Sequence, residues 1–411
     1  MVDGAEQWQP MIRPLRIAMV AACPFPYPRG TPIRIFRMAE ALAGRGHDVH
    51  VATYHLGQDG SMAPFHIHRI PEARFYDRVS PGPSYMKLLV LDPLLTGLLW
   101  RLLRSGQFDV VHAHHYEGLI ASLAVTAFAG HPVIYDAHTL LESELPSYDL
   151  ALPAGAKRIM GRWLDRKLPR KASHTLAVSQ EIRDKMVEQG GIGPENITVA
   201  PNGVETEHFN SDPSKGMRNG TKKTLIFTGN LGPYQGIEVL MRIFRAVVQH
   251  RDDVRLLILS DSDFGPYDSL ARELGVREHI SVRNSSFQDL PKFLAGADVA
   301  LNPRVDCDGY PQKLLNYMAA GKSVVSFASS AKHLRHQETG WIVEDGDIGG
   351  FAEAILSLLA NQETAARLGE NARRFVQSDF SWGKTASAAE AVYEKVLMRA
   401  RVSRTARSFD P

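Results

Sequence analysis

Asn302-Pro303-Arg304, an acidic pair (Asp306, Asp308) and then GYPQKLLNYMAAGKSVV, residues 309–325, decide how the rest of the chain reads. The preceding ADVALNP is apolar and β-capable, and the Gly/Asp/Pro cluster after it breaks the strand. Pro311 stands where a first helical turn tolerates proline, and Leu314, Leu315 and Met318 give a helical apolar face. Gly321 stops that helix before the apolar strand SVVSF. A Gly-rich turn feeding a helix N-terminus offers free backbone N–H groups and a positive dipole end, which together favour an anion. Lys313, one turn in, adds a point charge. The stretch therefore predicts strand, loop, helix, strand, with a phosphate or carboxylate at the loop. An ordinary βα connection of any parallel-sheet protein fits the same pattern.

The same residues resemble the donor-site signature of retaining GT-B glycosyltransferases of family 4, in which two acids spaced E-x7-E flank such a loop. Asp308 and Asn316 hold those positions. The resemblance implies that Asp308 faces the hydroxyls of a donor sugar and that Asn316 meets a nucleotide ribose. Asp308 keeps the charge on a shorter arm, whereas Asn316 accepts a hydrogen bond without charge assistance. Gly309, Tyr310, Pro311, Lys313 and Leu314 complete the implied donor loop.

At 411 residues the chain is long enough for two or three domains, and its apolar and charged fractions are those of a globular protein. A net charge of +2 argues against nucleic acid as a partner. Two widely separated cysteines, Cys23 and Cys307, make no metal-ligand spacing and fit a reducing cytoplasm. Residues 1–15 are polar and mixed, unlike a signal peptide, and no uncharged run has the length of a membrane span.

From the N-terminus, LRIAMVAA (15–22), a helix over 33–45 and DVHVATYH (48–55) make a βαβ opening and hence a parallel sheet. There is no G-x-G-x-x-G; Gly30 and Thr31 instead match the family's glycine loop, which approaches the donor. Residues 85–103 are the most apolar helical stretch, interrupted by Pro93, and read as a core helix or a membrane contact. FDVVHAHH (108–115) is a strand ending in His112, His114 and His115. Because adjacent strand positions face opposite sides, a shared metal is not expected there. The motif resembles the family's H-x-H, which implies that His114 lines the cleft near the donor sugar. PVIYDAH brings Asp136 and His138 to the same edge, and Glu142 and Glu144 follow in a loop. His138 and Glu142 are the acceptor-side candidates, with solvation as the plainer reading of Glu142. Residues 157–171 form a basic amphipathic segment, which fits either anionic lipid or a solvated helix with one core stripe. Ser179 is placed to cap the helix after HTLAV.

The second half restarts with TLIFTGNLGPYQGIEVLMRIF, a strand, a loop carrying Gly229, Gly232 and Gly236, and a helix from Ile237. Most family members grip a diphosphate with an arginine and a lysine in this loop. Asn230 and Gln235 stand at those positions, the largest departure from the pattern, and the loop's backbone N–H groups with Lys313 are the compensation available. ISVRNSSF (280–287) is a further strand; by resemblance its end, with Asn284, Ser286 and Phe287, seats the nucleobase.

The expected fold is α/β of the GT-B type: two Rossmann-like domains facing each other across a cleft, with a C-terminal helix crossing back to the first. The expected boundaries are a tail 1–14, a first domain 15–209, a linker 210–223, a donor domain 224–381, the crossing helix 382–398 and a basic tail 399–411 that frays. The resemblance implies a retaining hexosyltransferase that uses a nucleotide-sugar and a glycan, lipid-linked or small-molecule acceptor. It implies no cofactor and no metal. Cysteine usage points to the cytoplasm, and segments 85–103 and 157–171 point to peripheral contact at the inner membrane face. A non-catalytic GT-B scaffold and a GT-B sugar-nucleotide 2-epimerase are the alternatives.

Overall fold

Short runs of apolar and β-branched residues, each followed by a helix, give thirteen strands among the described residues. The computed structural model describes residues 13–27, 30–78, 84–148, 151–209, 222–305 and 311–407. It divides into two units, Met1–Pro201 with Trp382–Pro411, and Asn202–Ser381.

In the first unit the strands are β1 (Arg16–Ala21), β2 (Asp48–Thr53), β3 (His66–Arg69), β4 (Val110–His114), β5 (Val133–Ala137), β6 (His174–Ala177) and β7 (Ile197–Val199). They form one sheet in the order β3-β2-β1-β4-β5-β6-β7, with every pair parallel. Alternation decides the two faces. Ile17, Met19 and Ala21 join the helix Gly30–Gly44 through Ile35, Met38, Ala39 and Leu42. Ala18 and Val20 join Leu95, Leu99 and Leu119 of the helices Asp92–Ser105 and His115–Ala129. The apolar stretch around Pro93 is thus a core helix. A wide π turn at Lys87–Leu91 precedes it, so the proline falls in the first α-helical turn rather than kinking a helix.

The second unit contains β8 (Lys223–Thr228), β9 (Val254–Leu259), β10 (Ile280–Arg283), β11 (Val299–Asn302), β12 (Ser323–Phe327) and β13 (Trp341–Val343). Their order is β10-β9-β8-β11-β12-β13, again parallel throughout. The strand expected over 280–287 ends at Arg283, leaving Asn284 to Phe287 in the following loop. In both sheets chain order reverses at one place, between β1 and β4 and between β8 and β11. Such a switch opens a crevice at the carboxyl ends of the two strands.

The boundary falls at Pro201, ahead of the expected 209. Val204 N–H donates to Phe380 O at 2.8 Å, and Gln312 Nε2 donates to Gly203 O at 2.9 Å. Both bonds tie the segment after Pro201 to the second unit. Most of the expected linker, residues 210–221, lies outside the described residues, as does the tail 1–12.

The C-terminal helix Trp382–Arg407 runs past the expected end at 398, so residues 399–407 are helical rather than a frayed tail. It buries Ala386, Ala389, Val392, Tyr393 and Val396 in the cluster shared with the helix Gly30–Gly44. Polar contacts fix its rotation. Arg45 donates two bonds to the Glu390 carboxylate at 2.7 and 2.6 Å, and His47 Nε2 lies 2.9 Å from it. Tyr393 Oη lies 2.6 Å from His112 Nδ1.

Burial alone would raise the Glu390 pKa, but His47 and Arg45 together hold it at about 2, below the ordinary glutamate value. A depressed carboxylate contributes stability above its unfolded pKa, and this is lost as pH falls from there through about 2. Glu390→Gln is therefore expected to lower the melting temperature at neutral pH, with the gap to the parent closing as the pH is taken down through that window. In a separate variant, Tyr393→Phe leaves the buried His112 Nδ1 without its hydroxyl partner and is expected to cost about 1–3 kcal/mol in urea denaturation.

Candidate functional site

The second unit's reversal point brings together the ends of β8 and β11 and the start of the helix Gln312–Ala319. Gly236 is held at φ +73°, and a Cβ there would fall 2.5 Å from Pro303 O. Only glycine lets the β8 loop lie against the end of β11 in this way. Asn302, fully buried, fastens that end by donating from Nδ2 to Ser326 Oγ at 2.9 Å and to Ser330 Oγ at 3.0 Å. Tyr317 reaches back from the helix, and its hydroxyl accepts from Thr228 N–H at 2.7 Å. Helix and strand end are thereby locked together.

Lys313 and Gln235 meet in this frame. Lys313 Nζ donates to Gln235 Oε1 at 2.7 Å and sits 4.1 Å from the centroid of the Phe227 ring. Asn230 shapes the loop. Its Oδ1 accepts from Gly232 N–H at 3.0 Å and its Nδ2 donates to the Tyr234 hydroxyl at 2.7 Å. Gly229 has φ +126° and open space where a Cβ would stand. Asn316 is buried, and its Oδ1 has no hydrogen-bond partner among the described residues. A buried amide oxygen of this kind is an acceptor awaiting a donor.

Other donor-loop candidates are placed differently. Leu314 is core, clustered with Ile226 and Ala300, and its N–H already bonds Pro311 O at 2.9 Å. Pro311 caps the helix with φ −65°. Ser286 donates to Asp289 Oδ2 at 2.8 Å at the start of the helix Leu290–Gly296, and Asn284 is exposed. Phe287 stacks on His208 with ring centroids 4.6 Å apart, and its carbonyl lies 3.0 Å from His208 Nε2. Asp308, Gly309 and Tyr310 lie outside the described residues.

In the first unit the reversal point holds a buried polar cluster. Arg34 Nε and Nη2 donate to the two Asp136 oxygens at 3.1 and 3.0 Å, and Nη2 also donates to Ala200 O at 2.8 Å. Arg34 is 2% exposed and Asp136 is not exposed at all. His114 Nδ1 lies 3.3 Å from Asp136 Oδ2 and His112 Nε2 lies 3.5 Å from it. His112 and His114 therefore do converge, contrary to the expectation from the sequence. They are alternate residues of β4, share one face and stack at 4.5 Å. The cation beside them is Arg34.

His115 starts the next helix at φ +59°, accepts or donates with Thr31 Oγ1 at 2.7 Å, and stacks on His138 at 4.5 Å. Gly30, which opens the first helix, has φ +36° and clear space beside it. His138 Nε2 is 3.2 Å from His114 Nδ1. Burial, with His112 close by, lowers the His114 pKa to about 3, so the ring is neutral at physiological pH. Burial likewise pushes His138 well down. Burial would raise Asp136, but Arg34 and the histidines hold its carboxyl well below the usual range. With Nδ1 engaged by Asp136, His114 Nε2 is left buried with no partner among the described residues, a neutral acceptor. Glu142 is neither free nor in a loop: it lies in the helical turn Leu141–Glu144 and accepts from Arg162 Nε at 3.0 Å.

Sequence reading missed Arg34 and Tyr393. Arg34 carried a signal, because it lies on the buried face with Ile35 and Met38, where a charge needs a buried partner; Tyr393 carried none.

Residues 28–208 match the family described as Glycosyltransferase Family 4, and residues 222–361 match Glycosyl transferases group 1. The MMP alpha-(1->4)-mannosyltransferase of Mycolicibacterium hassiacum is 26% identical, covering 94% of this chain and 99% of its own length. The phosphatidyl-myo-inositol mannosyltransferase of Mycobacterium leprae is 28% identical over 93% of this chain and 97% of its own. Sucrose-phosphate synthase from Thermosynechococcus elongatus superimposes with a TM-score of 0.78 at 16% identity, covering 94% of this chain and 100% of that one. Its likeness carries the fold, two parallel-sheet Rossmann-like units of the GT-B type. With both units matched and well over half the chain covered, the protein belongs to glycosyltransferase family 4.

Proposed function

We propose that this glycosyltransferase moves a hexosyl group, mannosyl first among the candidates, from a nucleotide-sugar to an acceptor hydroxyl with retention of configuration. The observation that carries the reading is the Lys313–Gln235 contact. Where the family pattern has a cationic side chain in the β8 loop, this chain has a neutral glutamine. An ammonium from the neighbouring helix reaches the tip of that glutamine at 2.7 Å. The cation for a diphosphate is supplied from position 313 instead of 235. This placement supports turnover over a binding protein without it. Asn316 Oδ1, buried and unpartnered, accepts from a ribose hydroxyl, and the neutral His114 accepts from a hydroxyl of the reactants. For retention, the leaving diphosphate takes the acceptor proton on the face it departs from, and the protein contributes positioning and charge stabilisation. The mannosyl assignment follows the names of the relatives.

A surface of the first unit supports a lipid-linked acceptor. On the helix Ala154–Lys167, Ile159 is 74% and Trp163 58% exposed. Arg158, Arg162, Arg166 and Lys167 are exposed along the same helix. Ala151 N–H donates to the Tyr85 hydroxyl at 3.1 Å, which brings the exposed Leu88 and Leu89 segment to the start of this helix. Apolar side chains amid arginines fit an anionic bilayer surface. Among the described residues no helix is long and apolar enough to cross a membrane, so the contact is peripheral.

Two measurements test these readings. Nucleotide release and product mass are followed over a panel of nucleotide-sugars, with the anomeric configuration of the product read by NMR. Lys313→Ala is expected to raise donor KM roughly 10- to 100-fold, the worth of a charge-assisted contact of about 1.5–3 kcal/mol. Asn316→Ala should cost about 0.5–1.5 kcal/mol in nucleotide affinity. Gln235→Lys in a Lys313→Gln background should restore the donor KM, and an unchanged KM in Lys313→Ala would mean the diphosphate is held elsewhere. For the surface, co-sedimentation with phosphatidylglycerol vesicles is expected at low salt, fading as the screening length shrinks to about 3 Å at 1 M. Trp163→Ala should weaken it. Equal recovery of parent and Trp163→Ala in the unbound fraction at low salt would remove the membrane reading.

A further inference from the structure

At the opposite end of the first sheet, the amino ends of β2 and the edge strand β3 carry a second cluster of ligand-type side chains that the transfer reaction does not use. β2 and β3 pair in parallel with His50 opposite His66 and Ala52 opposite His68. Asp48 and His50 are alternate residues of β2, and His66 and His68 are alternate residues of β3, so each pair shares a face of its strand. Asp48 Oδ1 lies 3.0 Å from His50 Nε2 and 3.7 Å from His66 Nε2. The two imidazoles lie with centroids 4.6 Å apart. All three ligand atoms fall within 4.8 Å of one another.

We propose that Asp48, His50 and His66 bind a divalent transition-metal ion of the zinc class, held by Asp48 Oδ1, His50 Nε2 and His66 Nε2. Zinc takes histidine nitrogen at about 2.0–2.1 Å and carboxylate oxygen at about 2.0–2.2 Å. Two ligands of a tetrahedron with those radii stand about 3.3 Å apart. The observed separations of 3.0 and 3.7 Å lie on either side of that value, so small side-chain rotations suffice. Asp48 and His66 are exposed, which leaves an entry path and a fourth position for water. Two imidazoles and one carboxylate are a donor set that suits zinc, cobalt and nickel over calcium or magnesium.

Two hydrogen bonds strengthen the assignment. His50 Nδ1 lies 2.9 Å from His68 Nε2. A proton on His50 Nδ1, donated to His68, leaves the Nε2 lone pair facing Asp48. This is the outer contact that metal-binding histidines use to fix their tautomer. Arg16 then gives an independent indication. Its Nε is 3.0 Å from Asp48 Oδ2 and 3.3 Å from His50 Nε2. An arginine only donates, so its approach also requires a lone pair on Nε2. A carboxylate oxygen and an imidazole lone pair 3.0 Å apart repel unless a positive centre lies beside them. Arg16 supplies that charge from the Oδ2 side and leaves Oδ1 facing both histidines. A metal at Oδ1 takes the Nε2 lone pair in place of Arg16, whose Nε and Nη2 each lie 3.3 Å from it, while Arg16, partly exposed and resting over the Phe108 ring at 4.9 Å, keeps Oδ2.

The consequence is mechanical. β3 has four residues and lies at the sheet edge, paired among the described residues only to β2. A metal bridging the start of both strands pins that edge, and it takes no part in glycosyl transfer because the reaction groups lie at the carboxyl ends. Binding to the folded chain alone raises its stability by linkage.

The test uses the untagged full chain with Zn2+ and Co2+ as probes. One equivalent of Co2+ is expected to give the visible absorption of a low-coordinate ion, displaced by Zn2+. Zinc should raise the melting temperature, reversed by a chelator. His66→Ala and Asp48→Asn, both at exposed positions, should abolish the spectrum while the unliganded melting temperature stays near the parent's. His68→Ala, which removes the outer contact, should weaken Zn2+ roughly 10- to 100-fold. Absence of Co2+ absorption in the parent, or absorption that survives both His66→Ala and Asp48→Asn, overturns the proposal.

Discussion

Burying a guanidinium and a carboxylate together is the constraint around which the first unit is arranged. Neither Arg34 nor Asp136 has water to solvate it, and desolvating each ion costs several kcal/mol. The two-point contact between them, with the third arginine bond to Ala200 O, offsets that cost only while every partner stays in register. The pair therefore fixes three things at once: the entry of the helix Gly30–Gly44, the end of β5, and the backbone where the first unit ends. It also explains the state of His114. Asp136 alone beside a histidine would draw a proton onto the ring. With Arg34 already answering that carboxylate, burial dominates and the imidazole stays neutral.

On the proposed reading, the second unit meets a different problem, how to hold a polyanion with few cations. Its glycine loop is shaped by Asn230 and by the fit of Gly236 under Pro303, so the backbone is committed before any ligand arrives. Lys313 is held by Gln235 and by the face of Phe227, which limits its rotamers. A pre-placed ammonium loses less entropy on binding than a free surface lysine does. One oriented cation with fixed backbone donors is a weaker field than two, but a better-defined one.

Much of this was legible in the residues. Periodicity and glycine punctuation located the βα units, and the restart at Thr224 announced the second sheet, which begins at Lys223. What stayed hidden has physical reasons. The boundary at Pro201 was misplaced because a polar run marks extended chain, whereas Val204 and Gly203 are held by bonds to Phe380 and Gln312, far away in sequence. Tyr393 and His112 meet across 281 positions, beyond any local pattern. His112 and His114 were kept apart by reading three histidines as consecutive, although the strand period of two puts the outer pair of His112-Ala113-His114 on one face. Helix propensity carried the last helix past Arg399 to Arg407.

The neutral positions 230 and 235 bear on which part of a reaction the site serves. Negative charge on a leaving diphosphate grows as the glycosidic bond breaks, so a donor aimed at that oxygen contributes more in the transition state than in the ground state. A cation that grips the diphosphate equally in both states lowers KM and leaves kcat alone. Replacing the loop cations by Asn230 and Gln235 while keeping Lys313 thus removes uniform binding before it removes catalysis, if Lys313 lies at the oxygen that gains charge. On the proposed reading Asn316 points the same way, since its buried, unpartnered Oδ1 would anchor a ribose hydroxyl, a remote part of the donor, without charge.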